Sequence, residues 1–285
     1  MPSHRSTNGS LSKYATYGSP FGQCAICSKP TKLTEDHIPP KGCVRPTQIE
    51  VQNLLFKFPG AINSPGPRRS QNGVKFRSIC KDCNSGRLAK FDVELAKLTN
   101  SVASHVLSGL VLPSSVTIDI RPAMVIKSVI GHLLAFTADA RPPQGPFDEA
   151  LAAYFLGESP TLDPRVEIFY WFFPYRDQIL IRDSAFVRLI KNVDSPFIFK
   201  LIKFFPLAFF VTFEKPELFT VQGHTLEWAR RSTLADEHQF TVNLFDLPPR
   251  HWPEMPTNNP SDLVVYGGTP MHAKSLGPDI QVIKQ

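Results

Sequence analysis

The chain has 285 residues, 42% of them hydrophobic and 20% charged, a composition that excludes a disordered or collagen-like polypeptide and leaves room for two domains. No stretch approaches the ~18 uninterrupted apolar residues of a bilayer-spanning helix. The polar start, MPSHRSTNGS, lacks the apolar segment of a secretory signal, so the expected compartment is cytoplasmic. The net charge of +6 is uneven: residues 1–98 carry 15 Lys+Arg against 6 Asp+Glu, whereas residues 99–285 carry 16 against 19. A basic excess confined to the first third points to a polyanion, nucleic acid, as its partner.

In chain order, residues 1–21 read as a flexible leader. Cys24 and Cys27 then form one C-x-x-C pair, and Cys80 and Cys83 form a second, 52 residues further on. In a reducing compartment, two such knuckles present four thiolates to one tetrahedral Zn²⁺ rather than to disulfides. Cys43 is left over and reads as a small buried hydrophobe. Between the knuckles the chain is rich in proline, so metal is expected to supply much of the folding free energy there. Strands are predicted near 31–38 and 73–79. In the second, Val74 and Phe76 alternate but Ile79 falls one step out of phase. A helix is predicted from the second knuckle to about residue 99, with Leu88, Phe91, Leu95 and Leu98 as its apolar stripe.

Downstream, a short strand is predicted at 116–120, a helix at 122–139 and another at 147–156. His132 lies among apolar neighbours and reads as a satisfied core histidine. Aromatic and β-branched runs at 166–173, 178–182, 197–205 and 207–213 predict strands, with 174–177 as a hairpin turn. Prolines recur from residue 248 onward, so the tail is expected to wrap the surface as irregular chain.

Between the knuckles the sequence EDHIPPKG, and at the second knuckle CKDCN, resemble the HNH endonuclease family over residues 22–98. The resemblance implies a zinc-stabilised, treble-clef-like ββα-metal domain at 22–98; the helical and aromatic-rich patterns downstream predict an α+β accessory domain with an antiparallel sheet at 99–285, so the whole chain reads as α+β. The resemblance also implies hydrolysis of phosphodiester bonds, with double-stranded DNA as the expected substrate. His37 matches the family's general base. Asp36 and Asn84 match the ligands of a catalytic Mg²⁺ or Mn²⁺, oxygen donors suited to a hard cation. The family's middle Asn, which orients the base, matches Asn72, with Asn63 and Gln71 as alternatives. Strand alternation aims Asp36 and His37 to opposite faces, a conflict that eases if the strand ends there and bends at Pro39.

Arg77 and Lys81 are the first expected phosphate contacts, joined by Lys41, Arg68, Arg69, Lys75, Arg87 and Lys90. The accessory domain is expected to mediate homo-oligomerisation or regulation. The rival reading is a noncatalytic zinc-finger protein that binds nucleic acid through the same basic face.

Overall fold

The computed structural model describes residues 14–45, 47–58, 65–108, 111–188, 196–217, 219–255 and 262–276. It is mixed α and β with antiparallel sheets. Strands β1 (Phe21–Gln23) and β2 (Pro30–His37) flank the first knuckle. Two further strands, β3 (Ile49–Asn53) and β4 (Arg68–Ser70), precede β5 (Lys75–Cys80), which leads through a π-helical turn at Asp82–Leu88 into helix α1 (Ala89–Leu107). Strand β6 (Ser115–Ile120) and helices α2 (Pro122–Ala135) and α3 (Gly145–Leu156) follow. The second half is β7 (Val166–Phe172), β8 (Gln178–Arg188), β9 (Phe197–Phe204), β10 (Leu207–Phe213), β11 (His224–Thr225), β12 (His238–Asn243), β13 (Asp262–Tyr266) and β14 (Met271–Ser275).

The first sheet is small, in the order β1-β2-β5. Thr34 pairs with Ile79 and Glu35 with Arg77, so Ser78 has no opposite number. That extra residue is a β-bulge, and it accounts for the phase slip at Ile79 in the sequence. The freed Ser78 is used locally: its carbonyl accepts from the Ala25 amide at 2.9 Å, and its hydroxyl donates to Ala135 O at 2.5 Å.

The large sheet runs β11-β7-β10-β9-β8-β14-β3-β4, with β13 also paired to β8. Residues 174–177 therefore do not close a hairpin. β7 pairs with β10, and β8 pairs with β9 and β14, so the connection crosses over two strands. Both faces of this sheet are covered, which explains why β7 and β10 read as unbroken apolar runs rather than alternating ones. Ile168, Tyr170, Ile202, Phe209 and Val211 face the helices, whereas Phe169, Trp171, Phe199, Leu201 and Phe210 form a second cluster on the other side.

The core does not divide at residue 98. One cluster runs continuously from Cys24 through α1, α2 and α3 to Ala273. The reason is pairing at distance: β14 forms its ladder with β3, so the inter-knuckle segment is an outer part of the large sheet. The tail is likewise not all irregular, because β13 and β14 are strands within that sheet. Residues 14–20 are not a free leader either. Thr16 is buried, Tyr17 bridges to Arg77, and the Tyr14 hydroxyl donates to Thr269 O at 2.8 Å.

Helix α2 is buried on almost every side, as expected of a helix apolar all round that forms the centre of a core. Among the described residues no helix is long and apolar enough to cross a membrane.

Residues 250–254 are held against the large sheet by one cation. Lys203 Nζ donates to Glu254 Oε1 at 2.7 Å and Oε2 at 3.0 Å, and to the carbonyls of Arg250 (2.6 Å) and Trp252 (3.1 Å). Both side chains are buried. Lys203→Met is expected to destabilise the protein by about 3–5 kcal/mol, because it strands a buried carboxylate. Denaturant unfolding should show this, and Lys203→Met combined with Glu254→Gln should regain part of the loss. A single variant as stable as the parent contradicts the ion-pair account.

Candidate metal centre and nucleic-acid interface

The first knuckle turns at Ser28, which adopts a left-handed φ of 62°. Its amide donates to Cys24 O at 3.0 Å, folding Cys24 and Cys27 back onto one point. Cys80 ends β5, and Cys83 sits in the π-helical turn. The ligand sulfurs of all four lie within 4.8 Å of one another. Cys27 and Cys80 Sγ are 3.7 Å apart, which matches the ~3.8 Å edge of a tetrahedron with metal–sulfur bonds of about 2.3 Å. Backbone amides support the sulfurs: Cys80 N donates to Cys24 Sγ at 3.3 Å, and Cys83 N to Cys80 Sγ at 3.4 Å.

A hydrogen bond from Cys83 pulls the Cys24 thiol down to about 5 against the effect of burial, and the same contact together with burial pushes Cys83 up. Thiolates this close repel, so all four ionise together only around a cation. The cluster can hold a zinc ion. Cys43 stands apart from it, half-buried against the core, its thiol pushed up to about 12 by burial.

The π-helical turn does a second job. It closes with an Ala89 N–H to Asn84 O bond and carries the Asn84 side chain across to β2. There Asn84 Nδ2 donates to Thr34 Oγ1 at 3.0 Å and to Glu35 O at 3.0 Å. A carbonyl can only accept, so the amide nitrogen must face β2 and Oδ1 is left as the acceptor.

Asp36 and His37 do lie on opposite faces, because β2 continues through His37 instead of ending before it. Asp36 turns inward and is 8% exposed. Its Oδ2 lies 3.0 Å from Nδ1 of His132, a fully buried residue of α2. The other ring nitrogen, Nε2, is 2.9 Å from Oδ1 of Asp92 on α1, which also accepts from the Ser128 hydroxyl at 2.6 Å. Burial disfavours charge on His132, but the Asp92 and Asp36 carboxylates outweigh it and push the imidazolium up to about 10. His132 is thus the core histidine that its apolar surroundings implied. Its partnership with Asp36 was missed. The available signal was the polar pair Ser128 and His132, one helical turn apart in an otherwise apolar helix.

His37 faces the other way, half-buried, with Nε2 3.2 Å from the backbone carbonyl of Asn72. That carbonyl fixes the tautomer with hydrogen on Nε2 and leaves Nδ1 as the basic nitrogen of the neutral ring. Burial, then the Lys41 and Lys75 cations, lower the His37 pKa, partly opposed by the Asn72 contact and Asp36. Asn72 therefore meets His37 through its main chain rather than its amide. Gln71 instead accepts from the Gln48 side chain, and Asn63 lies outside the described residues.

The expected phosphate-binding residues separate into two groups. Arg77 Nη2 is 2.9 Å from Glu35 Oε1, Lys75 Nζ is 3.6 Å from Glu35 Oε2, and the Arg77 guanidinium also stacks on Tyr17. Arg69 pairs with Glu50, Arg68 donates to buried Thr16, and Arg87 donates to Leu156 O. Lys41, Lys81 and Lys90 are exposed. The acidic partner of Arg77 was not anticipated, since cross-strand pairing of Glu35 with Arg77 depends on the bulge.

Comparison with protein-family models, with curated proteins and with solved structures finds no match to this chain.

Proposed function

We propose that the protein is a metal-dependent endonuclease of the HNH type that hydrolyses phosphodiester bonds in double-stranded DNA. In this reading β2, β5 and α1 form a ββα-metal unit clamped by zinc. The observation that carries it is the reach of Asn84 to Glu35 O. It brings the Asn84 side chain to the strand that bears Asp36 and His37, with its nitrogen on β2 and its oxygen left as an acceptor. Zinc-directed folding alone does not require that contact.

The donor types, a carboxylate and an amide oxygen, suit a hard cation. Asp36 offers the carboxylate oxygen not turned to His132, and Asn84 offers Oδ1, whose own nitrogen is already committed. A Mg²⁺ or Mn²⁺ ion bound there supplies Lewis-acid stabilisation of charge on the scissile phosphate. His37 Nδ1 takes the proton of the attacking water, with the ring held by Asn72 O. Lys41, Lys81 and Lys90 hold the DNA backbone, while Arg77 orders Glu35.

Supercoiled plasmid incubated with the zinc-loaded protein and Mg²⁺ should be nicked or linearised, and EDTA should stop it. A preparation that binds DNA but leaves it intact supports the noncatalytic zinc-stabilised binder. Binding itself has a separate expectation. Lys81→Ala should weaken DNA affinity across sequences and reduce the salt slope by about one unit. Arg77→Ala should change the slope less, because Glu35 already neutralises that guanidinium. Equal slopes for Lys81→Ala and the parent would remove Lys81 from the phosphate path.

A further inference from the structure

We infer that His132 is a positioning residue for Asp36, so that helix α2, outside the segment with the nuclease motifs, completes the candidate site. The inference rests on the nuclease reading and extends it to a residue that the motif does not contain.

The three groups form a line with one fixed end. Asp92 sits on α1 and is anchored by the Ser128 hydroxyl at 2.6 Å. The His132 ring bridges from Asp92 Oδ1 at 2.9 Å to Asp36 Oδ2 at 3.0 Å. The ring is completely buried, and α2 is packed on nearly all sides, so the ring cannot swing without disturbing the core. Its Nδ1 lies at ion-pair distance from one buried oxygen of Asp36, outside hydrogen-bond geometry, and so constrains electrostatically which way the carboxylate turns. Ligands of a metal are commonly oriented by partners of this kind, whose removal typically costs about 10–100-fold in metal affinity or activity.

Asp92 serves Nε2 of the ring and Asp36 faces Nδ1, so the buried imidazolium is compensated from both sides. The Asp36 contact places a carboxylate where three elements, β2, α1 and α2, meet.

The test uses the full zinc-loaded chain and two variants, His132→Gln and Asp92→Asn. Mn²⁺ binding is counted directly from the free-ion electron paramagnetic resonance signal, plasmid nicking is followed against Mg²⁺ concentration, and thermal unfolding monitors the fold. For His132→Gln the half-saturating Mg²⁺ and the Mn²⁺ dissociation constant should rise about 10–100-fold, with nicking largely restored at high Mg²⁺. Asp92→Asn, which touches Asp36 only through the ring, should shift both in the same direction but less; it decides the matter if the Gln variant does not fold. Variants that unfold more readily but keep the parent's metal dependence overturn the inference and leave the nuclease reading standing. A parent protein that neither binds Mn²⁺ nor nicks DNA overturns both.

Discussion

Cys80→Ser is expected to release the zinc and to lose the β1-β2-β5 sheet. Structural zinc in small modules contributes on the order of 10–16 kcal/mol, as much as the whole net stability of a typical domain. Cys80 is a severe place to lose a ligand. Its sulfur accepts the Cys83 amide, its own amide donates to Cys24 Sγ, and its residue ends β5. The π-helical turn that carries Asn84 starts at Asp82, so loss of the metal should also detach Asn84 from β2. Metal analysis of the parent should give about one zinc per chain. Chelation should expose the region between β1 and α1 to protease, and because the core is continuous, the thermal midpoint of the whole protein should fall as well. A zinc-free preparation that keeps its full fold refutes the assignment.

His37→Ala is expected to lower the cleavage rate by about 10²–10⁴-fold, the usual cost of removing a general base, with DNA affinity and metal binding retained. Its side chain is on the face opposite Asp36, so the substitution leaves the Asp36–His132 contact untouched. The pH dependence has a definite sign. A base works only when neutral, and burial with Lys41 and Lys75 lowers the His37 pKa below its ordinary value of 6.5. The parent's rate should therefore fall as the ring protonates, with its midpoint below pH 6.5. Single-turnover cleavage from pH 5 to 8 checks both points. Cleavage by His37→Ala at the parental rate, or a parental rate already halved above pH 6.5, sinks the role.

The proposed division of labour also accounts for where the charge lies. The excess of lysine and arginine in the first third is partly spent within the protein: Glu35 takes Arg77 and Lys75, and Glu50 takes Arg69. Exposed cations of that third include Lys29, Lys32, Lys41, Arg45, Lys57, Lys81 and Lys90.

What was readable from the sequence is what depends on near neighbours. Two C-x-x-C pairs specify four sulfurs at one point because each knuckle is a local turn. The helical period of α1 and α2 and the apolar runs of β7 and β10 survived because each reports its own burial. Even the bulge left a trace, the misplaced Ile79. The boundary of α1 was less legible, and the helix continues to Leu107 because Val102 is buried beyond the expected end. β3, β4, β13 and β14 were not readable at all. They are short, and β3, β4 and β14 are rich in polar residues; they become strands by pairing at distance, β14 with β3 and β8, β4 with β3 and β13 with β8, and strand preference follows such partners more than composition. The same holds for the candidate site. Asp36, His37 and Asn84 could be named from their motif, but the direction of Asp36 is set by His132 and Asp92. Those three residues come from separate elements, and they meet only because α2 is buried against both α1 and β5.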